Sequence, residues 1–153
     1  MTRVQLHDHS VEQVRKILNA RGLHVRAGGR RGGSPAAATR FDLLADDGTI
    51  AVRAAKRSAF AWRVSVHGKQ YVYRYHGHRW NLHSRGRTRL HPDVWVFVAA
   101  TAKSLRYFIV PGARVRGFYT LTLREPSKTW LLACESRWET IHRLLSARQR
   151  KAA

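Results

Sequence analysis

An uninterrupted apolar run constrains the fold of this chain more than any other feature: Val94–Ala100 carries no polar side chain. Strands with one face in water alternate apolar and polar residues, whereas strands covered on both faces are apolar throughout. The run is also too short to cross a bilayer as a helix, which takes about 20 residues. We therefore predict a central strand in a sheet that has a packed layer on each face.

Segments on both sides of this run predict further strands and two helices. Ser10 and Gln13 have the spacing of a capping box, so an N-terminal helix is predicted to begin near Ser10. Phe41–Ala45 and Thr49–Ala55 flank an Asp-Gly turn and predict a β-hairpin. Several alternating segments follow, and a helical apolar stripe closes the chain. The predicted fold class is α+β, with a central mixed β-sheet flanked by N- and C-terminal helices.

The charge of the chain narrows the choice of partner. Its 153 residues include 29 Lys and Arg but only 9 Asp and Glu, which gives a formal net charge of +20. A polyanion is the natural counter-charge for such a surface. The single cysteine excludes a disulfide framework. We expect a cytoplasmic, nucleoid-associated protein that binds nucleic acid and not a membrane.

The basic residues are concentrated in particular segments. We predict a single domain over residues 1–147, followed by a basic tail at 148–153. Residues 26–40 are rich in glycine and arginine and predict a loop, and residues 85–89 predict a second basic loop. The arginines of these loops are candidate phosphate ligands: Arg30, Arg31, Arg85, Arg87 and Arg89.

The predicted hairpin carries an acid on its first strand. Asp42 lies in the segment FDLL, and the second strand reads TIAVRAA. Together with WNLH, PDVWVFVA and YFIVP further along, this order of segments resembles the PD-(D/E)XK, or restriction-endonuclease-like, nuclease superfamily. The resemblance implies a restriction-endonuclease-like fold. It also implies a site in which an Asp and a Glu-X-Lys motif hold Mg²⁺ against the scissile phosphate.

The chain departs from this pattern where the metal would bind. Asp42 matches the superfamily Asp and Val52 the buried middle residue, but the Glu position falls on Ala51 and the Lys position on Arg53. Alanine cannot ligate a metal, and arginine replaces lysine poorly as a water-orienting group. We therefore predict a catalytically degenerate domain that binds duplex or branched DNA and needs no cofactor. Its phosphate ligands would include Arg53, Lys56 and Arg57.

Two alternatives remain open from the sequence. One is an active Mg²⁺-dependent endonuclease of the homing, restriction or junction-resolving type. In that case Asp42 and Arg53 would be catalytic, Asp42 would bind the metal, and Glu12 would supply a migrated carboxylate. Nucleases of this fold often pair to reach both strands, so a homodimer is also expected.

The other alternative is an RNA-associated or structural basic protein. Tyr71, Tyr73 and Tyr75 are spaced to lie on one face of a strand, where bases stack on single-strand-binding proteins. The same face could instead pack against a partner.

Overall fold

The structure is a computed structural model that describes residues 1–28, 42–45, 48–83, 90–125 and 129–152, with the backbone alone from 146 to 152. In chain order the helices and strands are α1 (Arg3–Ala20), β1 (Val25–Ala27), β2 (Leu43–Ala45), β3 (Gly48–Lys56), β4 (Ser58–Val66), β5 (Lys69–Asn81), β6 (Val94–Ala100), β7 (Leu105–Pro111), β8 (Thr120–Glu125) and α2 (Glu139–Ala152). Two short 3-10 helices, Gly112–Val115 and Trp130–Cys134, flank β8.

The strands form two sheets. A five-stranded sheet has the order β1-β2-β3-β6-β7, and a three-stranded sheet has the order β4-β5-β8. Strands β3 and β6 pair in parallel, whereas the other described pairs are antiparallel, so the larger sheet is mixed. Every residue of β6 is buried. The α+β class, the mixed sheet and the doubly covered strand are thus confirmed.

The two faces of the larger sheet are covered by different layers. On one face, α1 and α2 pack their apolar stripes against alternate residues of β3 and β6, including Val52 and Val96. Both flanking helices therefore lie on the same side. On the other face, Trp95 and Phe97 pack against Trp80 of the smaller sheet. The indole N–H of Trp80 donates to the carbonyl of Val98 at 3.0 Å and joins the two sheets.

Helix α1 begins eight residues before the predicted Ser10 start. Thr2 is its N-cap: the Thr2 hydroxyl accepts the Gln5 N–H at 3.1 Å, and the Gln5 side chain accepts the Thr2 N–H at 2.8 Å. Ser10 is fully buried inside the helix, on the face that packs on the sheet. The prediction of a start at Ser10 was wrong because two capping-box patterns follow one another in the sequence, and the earlier one acts.

The hairpin predicted from the Asp-Gly motif is present, and the structure contains a second one. Strands β2 and β3 pair antiparallel, as predicted, and the register places Leu43 opposite Ile50. Strands β4 and β5 form a second, longer hairpin whose turn residues, His67 and Gly68, have φ values of 52° and 78°. Positive φ at both turn positions matches the right-handed twist of the strands that follow.

The predicted basic segments are only partly described. Strand β1 occupies Val25–Ala27 at the start of the 26–40 segment, and α2 continues to Ala152 through most of the predicted tail at 148–153. Among the described residues, no helix is long and apolar enough to cross a membrane. Five predicted phosphate ligands lie outside the described residues: Arg30, Arg31, Arg85, Arg87 and Arg89.

Candidate nucleic-acid interface

Asp42 lies immediately before β2, and both of its carboxylate oxygens have partners within the protein. Oδ2 accepts the backbone N–H of Val52 at 2.8 Å. Oδ1 lies 2.9 Å from Nε2 of His7 on α1. Nη1 of Arg53 is 3.6 Å from Oδ2. The residue that matches the superfamily Asp is therefore held by groups from α1 and β3.

The residues beside Asp42 on β3 alternate in direction, and each points into a core. Val52 points into the core under the helices, and Ala51 into the core between the sheets. Both are fully buried. Ala51 thus puts a methyl group, and no oxygen, at the position where the resemblance calls for a metal-binding Glu.

Arg53 lies on the same side of β3 as Ala51 and is held by several contacts. Its Nε donates to the carbonyl of Asn81 at 3.2 Å, and its Nη1 to the carbonyl of Val52 at 3.1 Å. The guanidinium carbon is 5.4 Å from the ring centroid of Trp95. Burial lowers the pKa of Arg53, although the nearby Asp42 opposes this effect. Since arginine stays protonated in proteins, Arg53 keeps its charge and ties β3 to β5.

Glu12, the carboxylate expected from the N-terminal helix, forms a different contact. Its carboxylate pairs with Arg15 on the same helix, with Nε of Arg15 at 3.0 Å from Oε2. This hydrogen bond lowers the pKa of Glu12. The α1 side chain that contacts Asp42 is His7. Five helical positions separate the two, which turns Glu12 about 140° around the helix axis from His7.

His7 is a site residue that the sequence analysis missed, although a signal for it existed. Once α1 is started at Thr2, His7 lies three residues before Ser10 and seven before Val14, both of which are fully buried. That spacing places it on the sheet-facing side of the helix. The assumed start at Ser10 left His7 outside the helix.

Asp93, just before β6, is a second acid whose carboxylate contacts β3. Its Oδ2 accepts the backbone N–H of Thr49 at 2.9 Å, at the start of β3. Asp42 contacts β3 at Val52, three residues further along, which is about 10 Å of extended strand. Asp93 therefore helps to hold the first residues of β3 beside the first residues of β6, where the two strands begin to pair in parallel.

The donor set around Asp42 does not fit Mg²⁺. Mg²⁺ needs oxygen ligands in near-octahedral geometry, and here the carboxylate oxygens bind protein donors while Ala51 offers none. Within the described ranges, no group of three or more His, Cys, Asp or Glu side chains could hold a metal ion. We derive no catalytic step through a metal from this arrangement.

Two exposed cations lie beyond Arg53 at the end of β3. The Lys56 ammonium contacts the carbonyl of Met1, and Nε of Arg57 donates to Oε2 of Glu125 at 3.0 Å. Both side chains are at the surface, where the Arg57–Glu125 ion pair contributes little to stability and both cations can bind other anions. This end of β3 can therefore offer positive charge to phosphates.

The whole fold is similar to that of a known nuclease. It matches the structure of a bacterial homing endonuclease, I-Ssp6803I, with a TM-score of 0.61 over 99% of this chain and 99% of that one. The two sequences are 13% identical, so the similarity shows the fold alone. No family model and no curated protein matches the sequence. The chain thus has a nuclease-like fold, with two helices flanking a mixed central sheet.

Proposed function

We propose that this protein binds DNA through a degenerate nuclease fold of the PD-(D/E)XK type and does not cleave it. The proposal rests on the contacts that the Asp42 carboxylate makes within the protein. Its two oxygens bind Val52 and His7, and the neighbouring metal position holds the buried Ala51. The full-length similarity to a homing endonuclease and the net charge of +20 support DNA as the partner.

In this proposal phosphate binding replaces metal binding. Lys56 and Arg57 present exposed positive charge at the end of β3, and Arg53 adds charge behind them. A buried alanine where a nuclease has a carboxylate removes a negative charge from the site, and this change favours phosphate. The arginines of residues 26–40 and 85–89 would extend the contact. If the protein pairs, as a homodimer would, both strands of a duplex come within reach.

Binding of this kind depends strongly on salt. With about six phosphate contacts, log affinity for duplex DNA should fall with log salt concentration at a slope near −5. A flat response would identify a different partner.

Duplex titration with matched charge variants tests the interface. Lys56→Gln with Arg57→Gln should weaken binding of a 20-base-pair duplex and make the salt slope shallower by about 2, because two phosphate contacts are lost. Arg137→Gln with Arg143→Gln removes the same charge from the region around the start of α2. If both double variants weaken binding equally, the cations at the end of β3 do not form the interface.

The second candidate is an active endonuclease, which the structural similarity to a homing endonuclease favours. Incubation of the protein with supercoiled plasmid or branched DNA and Mg²⁺ or Mn²⁺ distinguishes a DNA-binding protein from an active endonuclease. The degenerate site predicts intact DNA under both metals. Cleavage that disappears in Asp42→Asn would replace our proposal with the enzymatic one.

A further inference from the structure

The β4–β5 hairpin carries an aromatic surface that the proposed duplex interface does not use. Residues directly opposite each other in an antiparallel pair point to the same side, and alternate residues point to opposite sides. The cross-strand pairs on one side are Phe60 with Tyr75, Trp62 with Tyr73, and Val64 with Tyr71. We call Phe60, Trp62, Tyr71, Tyr73 and Tyr75 the aromatic face.

The central rings of this face are exposed to solvent. Trp62 is 54% exposed and Tyr73 is 56% exposed, while Trp80 and Trp95 are each 2% exposed. The rings of Trp62 and Tyr73 lie 5.9 Å apart between centroids, and those of Phe60 and Tyr75 lie 5.4 Å apart. A group of large exposed rings marks an interaction surface more often than scattered apolar residues do.

The charge around the aromatic face is positive. The guanidinium of Arg79 lies 4.5 Å from the Phe60 ring centroid and donates to the Tyr75 hydroxyl at 3.1 Å. Arg124 lies 5.6 Å from the Tyr75 ring centroid. Residues 58–81, which span the whole hairpin, contain no Asp or Glu. A partner that complements this surface must bring both flat apolar groups and negative charge.

Charge also disfavours a second copy of the chain as that partner. Two hairpins placed face to face would bring together like charges, with Arg79 beside the rings and Lys69 at the turn of each copy. A nucleic-acid strand, in contrast, supplies a flat base and a phosphate at every nucleotide.

The spacing of the rings suits unpaired bases. Alternate residues on a strand are about 7 Å apart along it, as are Tyr71, Tyr73 and Tyr75. Bases in a stack are about 3.4 Å apart, so a side chain inserted between two bases moves them to about 7 Å. Duplex DNA hides its base faces within the stack, whereas a single strand exposes them.

We propose that the aromatic face binds the unpaired bases of a single nucleic-acid strand by stacking, with Arg79 and Arg124 close to its phosphates. This site uses residues other than Lys56 and Arg57 of the duplex interface, and the proposal does not depend on that interface.

Intrinsic fluorescence offers a direct measurement, because Trp62 is the exposed tryptophan of the described surface that stacking would quench. A 12-nucleotide oligo-dT should quench the emission saturably, whereas an abasic oligomer of equal length and charge should not. Oligo-U distinguishes RNA from DNA, and preferential quenching by either one supports the proposal. In Trp62→Phe the quenching should disappear while most of the affinity remains.

Affinity measurements then test the stacking itself. Trp62→Ala and Tyr73→Ala should each lower the affinity for oligo-dT at least fivefold, toward that for the abasic oligomer, and should leave duplex affinity unchanged. Tyr73→Phe keeps the ring and should restore binding. Phe118→Ala, which removes an exposed aromatic ring outside the hairpin, is the matched control and should have no effect.

Three results would overturn the proposal. These are equal affinity for oligo-dT and the abasic oligomer, unchanged oligo-dT binding in both alanine variants, or conversion of an oligomer to a monomer by Trp62→Ala with strand binding intact. The Lys56→Gln and Arg57→Gln protein separates the two proposals, because it should lose duplex affinity and retain its preference for oligo-dT over the abasic oligomer.

Discussion

The carboxylate of Asp42 accepts the backbone N–H of Val52 at 2.8 Å. Main-chain pairing of β2 with β3 extends from Ala45 opposite Gly48 only to Leu43 opposite Ile50. The side chain of Asp42 therefore continues the pairing where the backbone of β2 no longer does. The residue to which the sequence resemblance gives a metal-binding role acts here as a hydrogen-bond acceptor for the strand beside it.

This relationship predicts a structural cost for losing Asp42. Asp42→Ala should lower the free energy of unfolding by about 1–3 kcal/mol, because the Val52 N–H would lose its acceptor. Asp42→Asn keeps an oxygen that can accept this N–H, and it should cost less than half as much. Urea denaturation followed by circular dichroism measures both.

Glu12→Gln is the matched control for that experiment. Glu12 is also an acid that pairs with an arginine, but it lies at the surface. Its loss should have little effect on stability, because solvent screens an exposed ion pair. Equal effects of Asp42→Ala and Glu12→Gln would mean that the Val52 contact does not stabilise the fold.

Arg53 is predicted to stabilise the fold in a way that lysine cannot reproduce. Arg53→Ala should cost about 1–2 kcal/mol, since the side chain donates to the carbonyls of Asn81 and Val52 and stacks on Trp95. Arg53→Lys keeps the charge but lacks the planar fork, so it should recover less than half of the loss. Thermal unfolding of the two variants measures both stability losses. Full recovery in Arg53→Lys would show that only charge matters at this position.

Features that depend on local pattern could be predicted from the sequence. The apolar run Val94–Ala100 predicted a strand buried on both faces, and the Asp-Gly turn predicted the β2–β3 hairpin. Alternation along β3 placed Val52 in the core as expected, but Ala51 is also buried, between the two sheets. These patterns reflect short-range rules with which the tertiary structure agrees here, whereas the equally local capping-box pattern at Ser10 gave the wrong helix start.

The site was harder to predict because its contacts join distant parts of the chain. His7 and Asp42 are 35 positions apart, and Arg53 and Asn81 are 28 apart. Neither spacing leaves a periodic signal. His7 was missed because α1 starts earlier than predicted. Nothing in the sequence shows that the guanidinium of Arg53 turns toward Trp95 or that the Arg53 side chain is only 22% exposed.

Gly77 is predicted to be required where β5 pairs with β8. A Cβ atom at this position would lie 2.1 Å from the carbonyl oxygen of Leu123, so the two strands would have to separate. Gly77→Ala should therefore cost about 2–3 kcal/mol through overpacking and lost ladder bonds. Gly68→Asn, in the open turn of the β4–β5 hairpin, should cost less than about 1 kcal/mol, because asparagine tolerates positive φ. Urea midpoints that rank the two variants in the opposite order would contradict the close packing of β5 on β8.

The ion pair between Arg106 and Glu135 should make a small, pH-dependent contribution to stability. Nε of Arg106 donates to Oε2 of Glu135 at 2.7 Å, and Nη2 donates to Oε1 at 3.0 Å. This hydrogen bonding holds the pKa of Glu135 below its ordinary value of 4.5. Both side chains are about one-third exposed, so solvent screens the pair and Glu135→Gln should cost only about 0.5 kcal/mol at neutral pH.

The direction of the pH effect follows from this lowered pKa. The unfolded chain takes up the Glu135 proton at a higher pH than the folded chain does, so the contribution is complete above pH 4.5 and decreases as the pH falls through the lowered value. The stability difference between the natural protein and Glu135→Gln should therefore shrink toward zero as the pH falls below the lowered pKa of Glu135. A double-mutant cycle with Arg106→Gln, measured by urea denaturation at neutral and acid pH, isolates the pair from other titrating groups. A coupling energy that is the same at both pH values would assign the stabilisation to packing of the two side chains and not to their charges.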